Sequence, residues 1–312
     1  MQHPIESEVS TIREVDRYGG AIHGVHVESM RTSRGSSATT VVSVRSDRFT
    51  TNSVRSGFAA VGRSTIPDGI AIACAFRVAP TGARWSGVDL GAGDVITYGT
   101  GAEHIGINPE GLEMSFMIVS LDRLDTLAGI YDHSVRLPAP GRITVCPSHR
   151  AARRFAKALF ALRDRALLGE PIDEEDLAAA EKGFLRAVAG PAYEREARPP
   201  GIIDDQQVVA SCLRFADDLG RIPTMQEIHE AVFVSERRLR YAFQRALGMP
   251  PSVALRAWGL DRARRGLLSA DPSNATVTGI ANQLGFSHHG RFASRYRAAF
   301  GEHPQRTLRR TA

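Results

Sequence analysis

The chain has 312 residues, room for two domains and a linker. Hydrophobic residues make up 43% and charged residues 23%, a globular balance that excludes a disordered or low-complexity chain. No run approaches the ~20 apolar residues of a membrane helix, and MQHPIESEVS lacks the apolar core of a secretory signal, so no membrane partner and a cytoplasmic location are expected.

The net charge of +5 is unevenly spread. Residues 206–312 carry 16 arginines and no lysine against 8 carboxylates, a net +8 that leaves −3 for the rest. A polyanionic partner for the last third is the natural reading. Cys74, Cys146 and Cys212 form no C-x-x-C pair, which predicts free thiols in a reducing compartment.

Residues 1 to about 18 are polar and read as a loose or partly helical arm. From Ala21 to Val119 short β-rich runs follow: 22–28, 40–46, 48–54, 57–64, 70–78, 85–90, 94–98, 104–107 and 112–119. Turn residues such as Pro67-Asp68-Gly69 and Gly91-Ala92-Gly93 separate them, the pattern of a sandwich or barrel. Ser33–Ser37 reads as a flexible loop. A helix is predicted over 121–130. Ser148 can cap another, with Ala152, Phe155, Leu159, Leu162 and Ala166 on one stripe. Asp173 or Glu174 opens a third, carrying Leu177, Phe184, Leu185 and Val188. Two such amphipathic helices either pack on the strands or form a dimer seam. Gly190–Gly201, with three prolines, reads as a linker.

Two similar helical units come next. In the first, Thr224 and Glu227 form a T-x-x-E capping box. Ile228 and Ala231 point inward, Val232-Phe233-Val234 fills the turn, and Ser235 caps a helix with Leu239, Ala242, Phe243 and Ala246 on its buried face. A helix from about Ser252 to Leu268 leads to the second unit. There Thr276 is an N-cap, Val277, Ile280, Ala281 and Leu284 make an apolar face, Gly285 ends the helix left-handed, and Phe286 plugs the turn. Ser287 can cap the last long helix, with Phe292, Tyr296 and Ala299 inward. Either unit alone also fits an ordinary αα-hairpin; paired, they read as two helix-turn-helix units that could enter successive major-groove segments about 34 Å apart.

On these residues the last third resembles the DNA-binding domain of the AraC/XylS family of bacterial transcription regulators. The matching positions are Ser235, Leu239, Phe243, Gly248 and Pro251; Leu260, Ala263 and Leu267; and Val277, Ile280, Ala281, Gly285, Phe286, Phe292, Tyr296, Phe300, Gly301 and Pro304. The run GFSHHGRFASRYRAAFGEHPQRTLRR is similar to the ethanolamine-operon branch. Where relatives often carry a turn glycine the first unit has Val232-Phe233-Val234, so a slightly different turn is expected. The resemblance implies an α+β multidomain protein: a β-rich, cupin-like barrel with a helical region, then an all-α double helix-turn-helix domain. The divisions are 1–135 (sensor), 136–190 (helical, candidate dimerisation region), 191–205 (linker) and 206–312 (DNA-binding domain). It further implies double-stranded DNA as partner, RNA polymerase as a second, an unidentified small-molecule effector, a homodimer and a nucleoid-associated location.

The expected DNA-contacting residues are Arg237, Arg238, Arg240, Tyr241, Gln244 and Arg245 in the first unit, and His288, His289, Arg291, Ser294 and Arg295 in the second. Arg237 and Arg240 are the leading base readers. Arg238, Arg245, Arg262, Arg264, Arg265, Arg295 and Arg297 are phosphate contacts or solvated surface. No enzyme activity and no cofactor are expected: there is no G-x-S-x-G, no phosphate-binding glycine loop, and the histidines, including His104 beside Glu103, form no His-x-His pair. The rival readings are an architectural DNA binder without a ligand and a cupin-type metal enzyme fused to a DNA-binding domain.

Overall fold

The computed structural model describes residues 5–13, 17–33, 37–86, 88–131, 133–140, 142–146, 149–189 and 205–311. In chain order the strands are β1 (Glu6–Ile12), β2 (His26–Arg31), β3 (Thr39–Arg45), β4 (Thr50–Arg55), β5 (Ala60–Ile66), β6 (Ile70–Val78), β7 (Arg84–Trp85), β8 (Val88–Asp89), β9 (Val95–Tyr98), β10 (Ala102–Asn108) and β11 (Glu113–Ser120). Helix α1 (Leu121–Tyr131) and strand β12 (Ile143–Val145) precede α2 (His149–Leu168) and α3 (Glu174–Val188). The C-terminal part holds α4 (Asp205–Leu219), α5 (Met225–Val232), α6 (Glu236–Leu247), α7 (Pro251–Ser269), α8 (Val277–Gln283), α9 (His289–Phe300) and α10 (Pro304–Leu308). Ser148 and most of the expected 191–205 linker lie outside the described residues, as do the centre of the Ser33–Ser37 loop and Asp132.

The strands form two antiparallel sheets rather than the closed barrel expected from the resemblance. Seven strands run in the order β1-β3-β4-β11-β6-β9-β12, and five in the order β2-β5-β10-β7-β8. Side-chain alternation explains how they stack. On β6, Ile72, Cys74 and Phe76 point into a core shared with Ile66, Trp85 and Val88 of the smaller sheet. Ala71, Ala73 and Ala75 point the other way, where small side chains let α2 and α3 lie against the larger sheet. On β10, Ile105 and Ile107 turn outward onto Val209, Leu213 and Trp258 of α4 and α7. The molecule is therefore layered: helices, large sheet, small sheet, helices.

Two departures from the sequence reading have physical causes. The polar arm is a strand, β1, paired with β3 in register Glu6↔Arg45 through Ile12↔Thr39. An exposed edge strand is held by backbone hydrogen bonds and needs no apolar alternation. Strand β12 pairs with β9 and joins the sheet from inside the stretch read as purely helical. The stripe Ala152, Phe155, Leu159 and Leu162 is buried against α3 and the sheet, so it serves the chain's own core.

Of the histidines weighed as metal ligands, His104 is fully buried; its Nε2–H donates to the Gly99 carbonyl at 2.9 Å, and its Nδ1 accepts from the Ser86 hydroxyl at 2.9 Å. Burial lowers its pKa. Neighbouring Glu103 faces the other way, toward Arg214 at 3.4 Å. Among the described residues no three His, Cys, Asp or Glu side chains converge as metal ligands.

The turn of the first helical unit keeps the left-handed geometry without a glycine. Phe233 sits at φ 54° and its ring is 89% exposed, whereas Val234 beside it is buried. A non-glycine residue there carries strain of about 1–3 kcal/mol, and the ring gains no burial in return. Phe233→Gly is expected to raise stability by roughly 1 kcal/mol; chemical denaturation of the full chain checks it, and a lower midpoint would mean the aromatic ring stabilises the turn.

Candidate nucleic-acid interface

Both helical units are built on α7. In the first, Thr224 accepts the Glu227 backbone N–H at 3.2 Å, and Glu227 accepts the Thr224 N–H at 2.8 Å, completing the capping box. Arg221 grips the same carboxylate at 2.6 and 3.1 Å. That hydrogen-bonded arginine first, then the Thr224 N–H, hold the Glu227 pKa down to about 2. Ser235 caps α6 by accepting the Arg238 N–H at 3.2 Å. Leu239, Ala242, Phe243 and Ala246 are buried along α6. The opposite face is then set by the helical period: Arg237, Tyr241 and Gln244 are exposed there, with the Arg237 guanidinium 5.6 Å from the Tyr241 ring centre. Arg240 flanks them, exposed and paired with Glu236 at 2.6 Å. These residues border a groove of about 910 Å³ that continues to Pro250 and Ser252.

Arg238 and Arg245 leave that face. Both turn to Asp205 at the start of α4, Arg245 at 3.4 Å. They brace α6 against α4.

In the second unit Thr276 accepts the Gly279 N–H at 3.0 Å, and the chain turns through Gly285 at φ +86°. Phe286, Phe292 and Tyr296 stack in its core, with ring centres 4.8 and 5.7 Å apart. His288, not Ser287, is the residue that caps α9, and its side chain makes no cap hydrogen bond. His289 Nε2 instead meets Asn282 Oδ1 at 2.7 Å, tying α9 to α8. Arg291, Ser294 and Arg297 are exposed opposite the buried face. Gly290 leaves open space where a side chain would stand. Arg295 projects from a flank of α9 into a cavity shared with Arg256 of α7.

A Cβ at Gly285 would stand 3.6 Å from its nearest neighbour, so space is not the constraint there; the backbone conformation is. Gly285→Val is expected to cost about 1–3 kcal/mol, because a β-branched residue is strained at positive φ. A thermal melt unchanged from the parent chain would contradict this.

Three of the four arginines of α7, Arg262, Arg264 and Arg265, are committed elsewhere. Arg264 is 2% exposed and bonds Glu302 at 3.0 Å. Arg262 pairs with Asp217, which also accepts the Trp258 indole N–H at 2.9 Å and Arg63 of β5 at 2.8 Å. Arg265 bonds Asp261 at 2.7 Å and reaches Glu28 of β2 at 3.5 Å. Burial pushes the Glu28 and Asp217 carboxyls up, but their hydrogen-bonded and charged neighbours outweigh it and the net shift is downward. Arg262, Arg264 and Arg265, offered by the sequence as phosphate contacts or solvated surface, are thus held in ion pairs: Arg262 joins α7 to α4, Arg265 reaches the small sheet, and Arg264 holds α7 to the end of α9. The sequence could not reveal this, since Glu28, Arg63 and Asp217 meet only in the fold.

Comparison with known proteins matches residues 228–310 to a helix-turn-helix domain family. The chain is similar to a probable thc operon regulatory protein of Rhodococcus erythropolis, 42% identical over 86 residues, covering 28% of this chain and 26% of that one. It is also similar to a XylDLEGF operon transcriptional activator of Pseudomonas putida, 36% identical over 93 residues, covering 30% of this chain and 29% of that one. A solved structure, a probable AraC family transcriptional regulator from Rhodopseudomonas palustris CGA009, is 32% identical with a TM-score of 0.30, covering 33% of this chain and 96% of that one. The match spans only about a quarter of the length of the curated relatives.

Proposed function

We propose, from the premise that this chain belongs to the AraC/XylS family of transcription regulators, that it binds specific duplex DNA through α6 and α9 and regulates transcription in response to a small molecule. The observation that carries the reading is the pair of exposed arginine-bearing helices, each set by a capped turn on the shared helix α7. Arg237, Arg240, Tyr241 and Gln244 of α6 are the proposed base-reading group; His289, Arg291 and Ser294 of α9 are the second, with Arg297 beside them. Where a bidentate arginine meets guanine, discrimination of about 1–3 kcal/mol follows. Gly290 leaves α9 with one side chain fewer in its first turn, so α6 supplies more of the sequence discrimination.

The α+β layers ahead of the helices are the proposed sensor. Between the sheets lies a small cavity of about 30 Å³, bordered by Tyr18, Trp85, Tyr98 and Asn108. That is room for about one water molecule, so an effector seated there has to part the sheets. The junction of Arg63, Glu28 and Asp217 supports coupling, because it connects the small sheet to α4 and α7. A homodimer, contact with RNA polymerase and a cytoplasmic location are parts of this reading that rest on kinship; no described helix is long and apolar enough to cross a membrane.

The test is selection of duplexes from a random pool by the full chain, followed by footprinting. Protection of a discrete sequence on one duplex face is expected. Uniform protection without a preferred sequence would favour an architectural binder.

A further inference from the structure

We propose that the cavity between the end of β2 and helices α7 and α9 is a binding site for a small dianion, carrying either a phosphoryl group or two carboxylates. The cavity measures about 240 Å³, below the range of drug-sized pockets but ample for such a group. Three arginines from three elements line it: Arg31 of β2, Arg256 of α7 and Arg295 of α9.

Arg31 is the anchor. It is only 7% exposed, lies 4.5 Å from the Phe58 ring centre, and uses its Nε–H on the Ser33 carbonyl at 3.2 Å. Its Nη2 is buried and has no hydrogen-bond partner among the described residues. A buried guanidinium with an unused donor is costly, and an acceptor entering the cavity relieves that cost.

The surrounding charges leave room for one. Asp261 also lines the cavity, but Arg265 holds it at 2.7 Å. Burial lowers the Arg31 pKa; Glu110 attracts this guanidinium and Arg264 repels it. Burial also lowers the Arg256 pKa, and repulsion from Arg295 adds to it. Among the described residues neither Arg256 nor Arg295 has an ion-pair partner. Three guanidinium groups around one space match the bidentate geometry of a dianion better than a lone monoanion. Val253, Leu260 and Phe300 supply an apolar wall for the remainder of such a molecule.

A duplex backbone cannot reach Arg31 where it is buried, whereas a small molecule can enter. Once bound, it would bridge the small sheet to both α7 and the second reading helix, and so favour one arrangement of the two over others. This deepens the effector part of the reading above and rests on it only for that consequence; the binding itself is measured without DNA.

The test is calorimetric titration of the full chain with inorganic phosphate and, separately, with succinate, at constant ionic strength. Arg31→Met and Arg256→Gln are titrated alongside, with circular dichroism to check folding. Saturable binding of at least one dianion is expected, weakened about tenfold or more in each variant that folds. Arg256 is only half-buried on α7, so Arg256→Gln carries the test if Arg31→Met does not fold. No saturable heat with either probe overturns the proposal, as does unchanged binding in the folded variants. A selected duplex is added as a competitor. If it displaces the dianion and Arg256→Gln weakens duplex binding equally, the groove is part of the DNA contact and the proposal is wrong. A chain that takes the dianion but selects no DNA sequence would instead defeat the regulator reading and leave this site standing.

Discussion

Glu302→Ala is expected to destabilise the C-terminal helices by about 3–5 kcal/mol, the cost of stripping a buried charge of its partner. Glu302 lies just past α9 and is buried, as is Arg264 of α7, which it meets at 3.0 Å. The same oxygen of Glu302 accepts the Thr307 hydroxyl at 2.9 Å, and Thr307 in turn accepts the Tyr296 hydroxyl at 2.9 Å. Burial, first among the causes, pushes the Tyr296 phenol up to about 12, so it stays a donor. This chain of contacts fixes the end of α9 to α7 and α10. Arg310 reaches the second oxygen of Glu302 at 3.2 Å from a more exposed position and cannot replace the carboxylate. Denaturant titration gives the loss directly. Glu302→Gln, which keeps an acceptor oxygen but not the charge, is expected to fall between the parent and the alanine variant. A loss under about 1 kcal/mol for alanine would mean that water reaches Arg264.

The second large effect concerns DNA. Arg237→Ala and Arg240→Ala are each expected to cost about 1–3 kcal/mol on a selected operator and to relax preference at one base pair. Both side chains are exposed on or beside the face of α6 opposite its buried residues. Arg240 must leave Glu236, an exposed pair at 2.6 Å whose loss costs little. Arg265→Ala tests the opposite assignment. On the sequence alone Arg265 is a phosphate contact, and its loss would flatten the salt slope by about one unit. In the structure it is held by Asp261 and Glu28, so the salt slope on random DNA is expected to stay as in the parent. Binding measured at several salt concentrations, on operator and random duplexes, separates the two. Equal losses on both duplexes for Arg237→Ala would mean that α6 docks by its backbone contacts and does not read bases.

Local signals explain which features were legible in the chain. The T-x-x-E box at Thr224 and Glu227, the caps at Ser235 and Thr276, and the left-handed glycine at position 285 are each decided within a few residues, and each stands in the structure as read. The span β6 was likewise readable, because a buried strand bounded by turn residues announces both its ends. What only the tertiary structure decided were the partnerships between distant residues. The polar edge strand β1 exists because β3 offers it backbone partners. Of the arginines in the last third, composition gives the charge but not its employment. Arg238 and Arg245 turn to Asp205, Arg262 to Asp217, Arg264 to Glu302, and Arg265 to Asp261 and Glu28. Helical period says which side of a helix a side chain occupies, but which carboxylate waits on that side depends on how the helices and sheets pack. That packing is why Arg237 and Arg240 remain on the open face while their neighbours hold the molecule together.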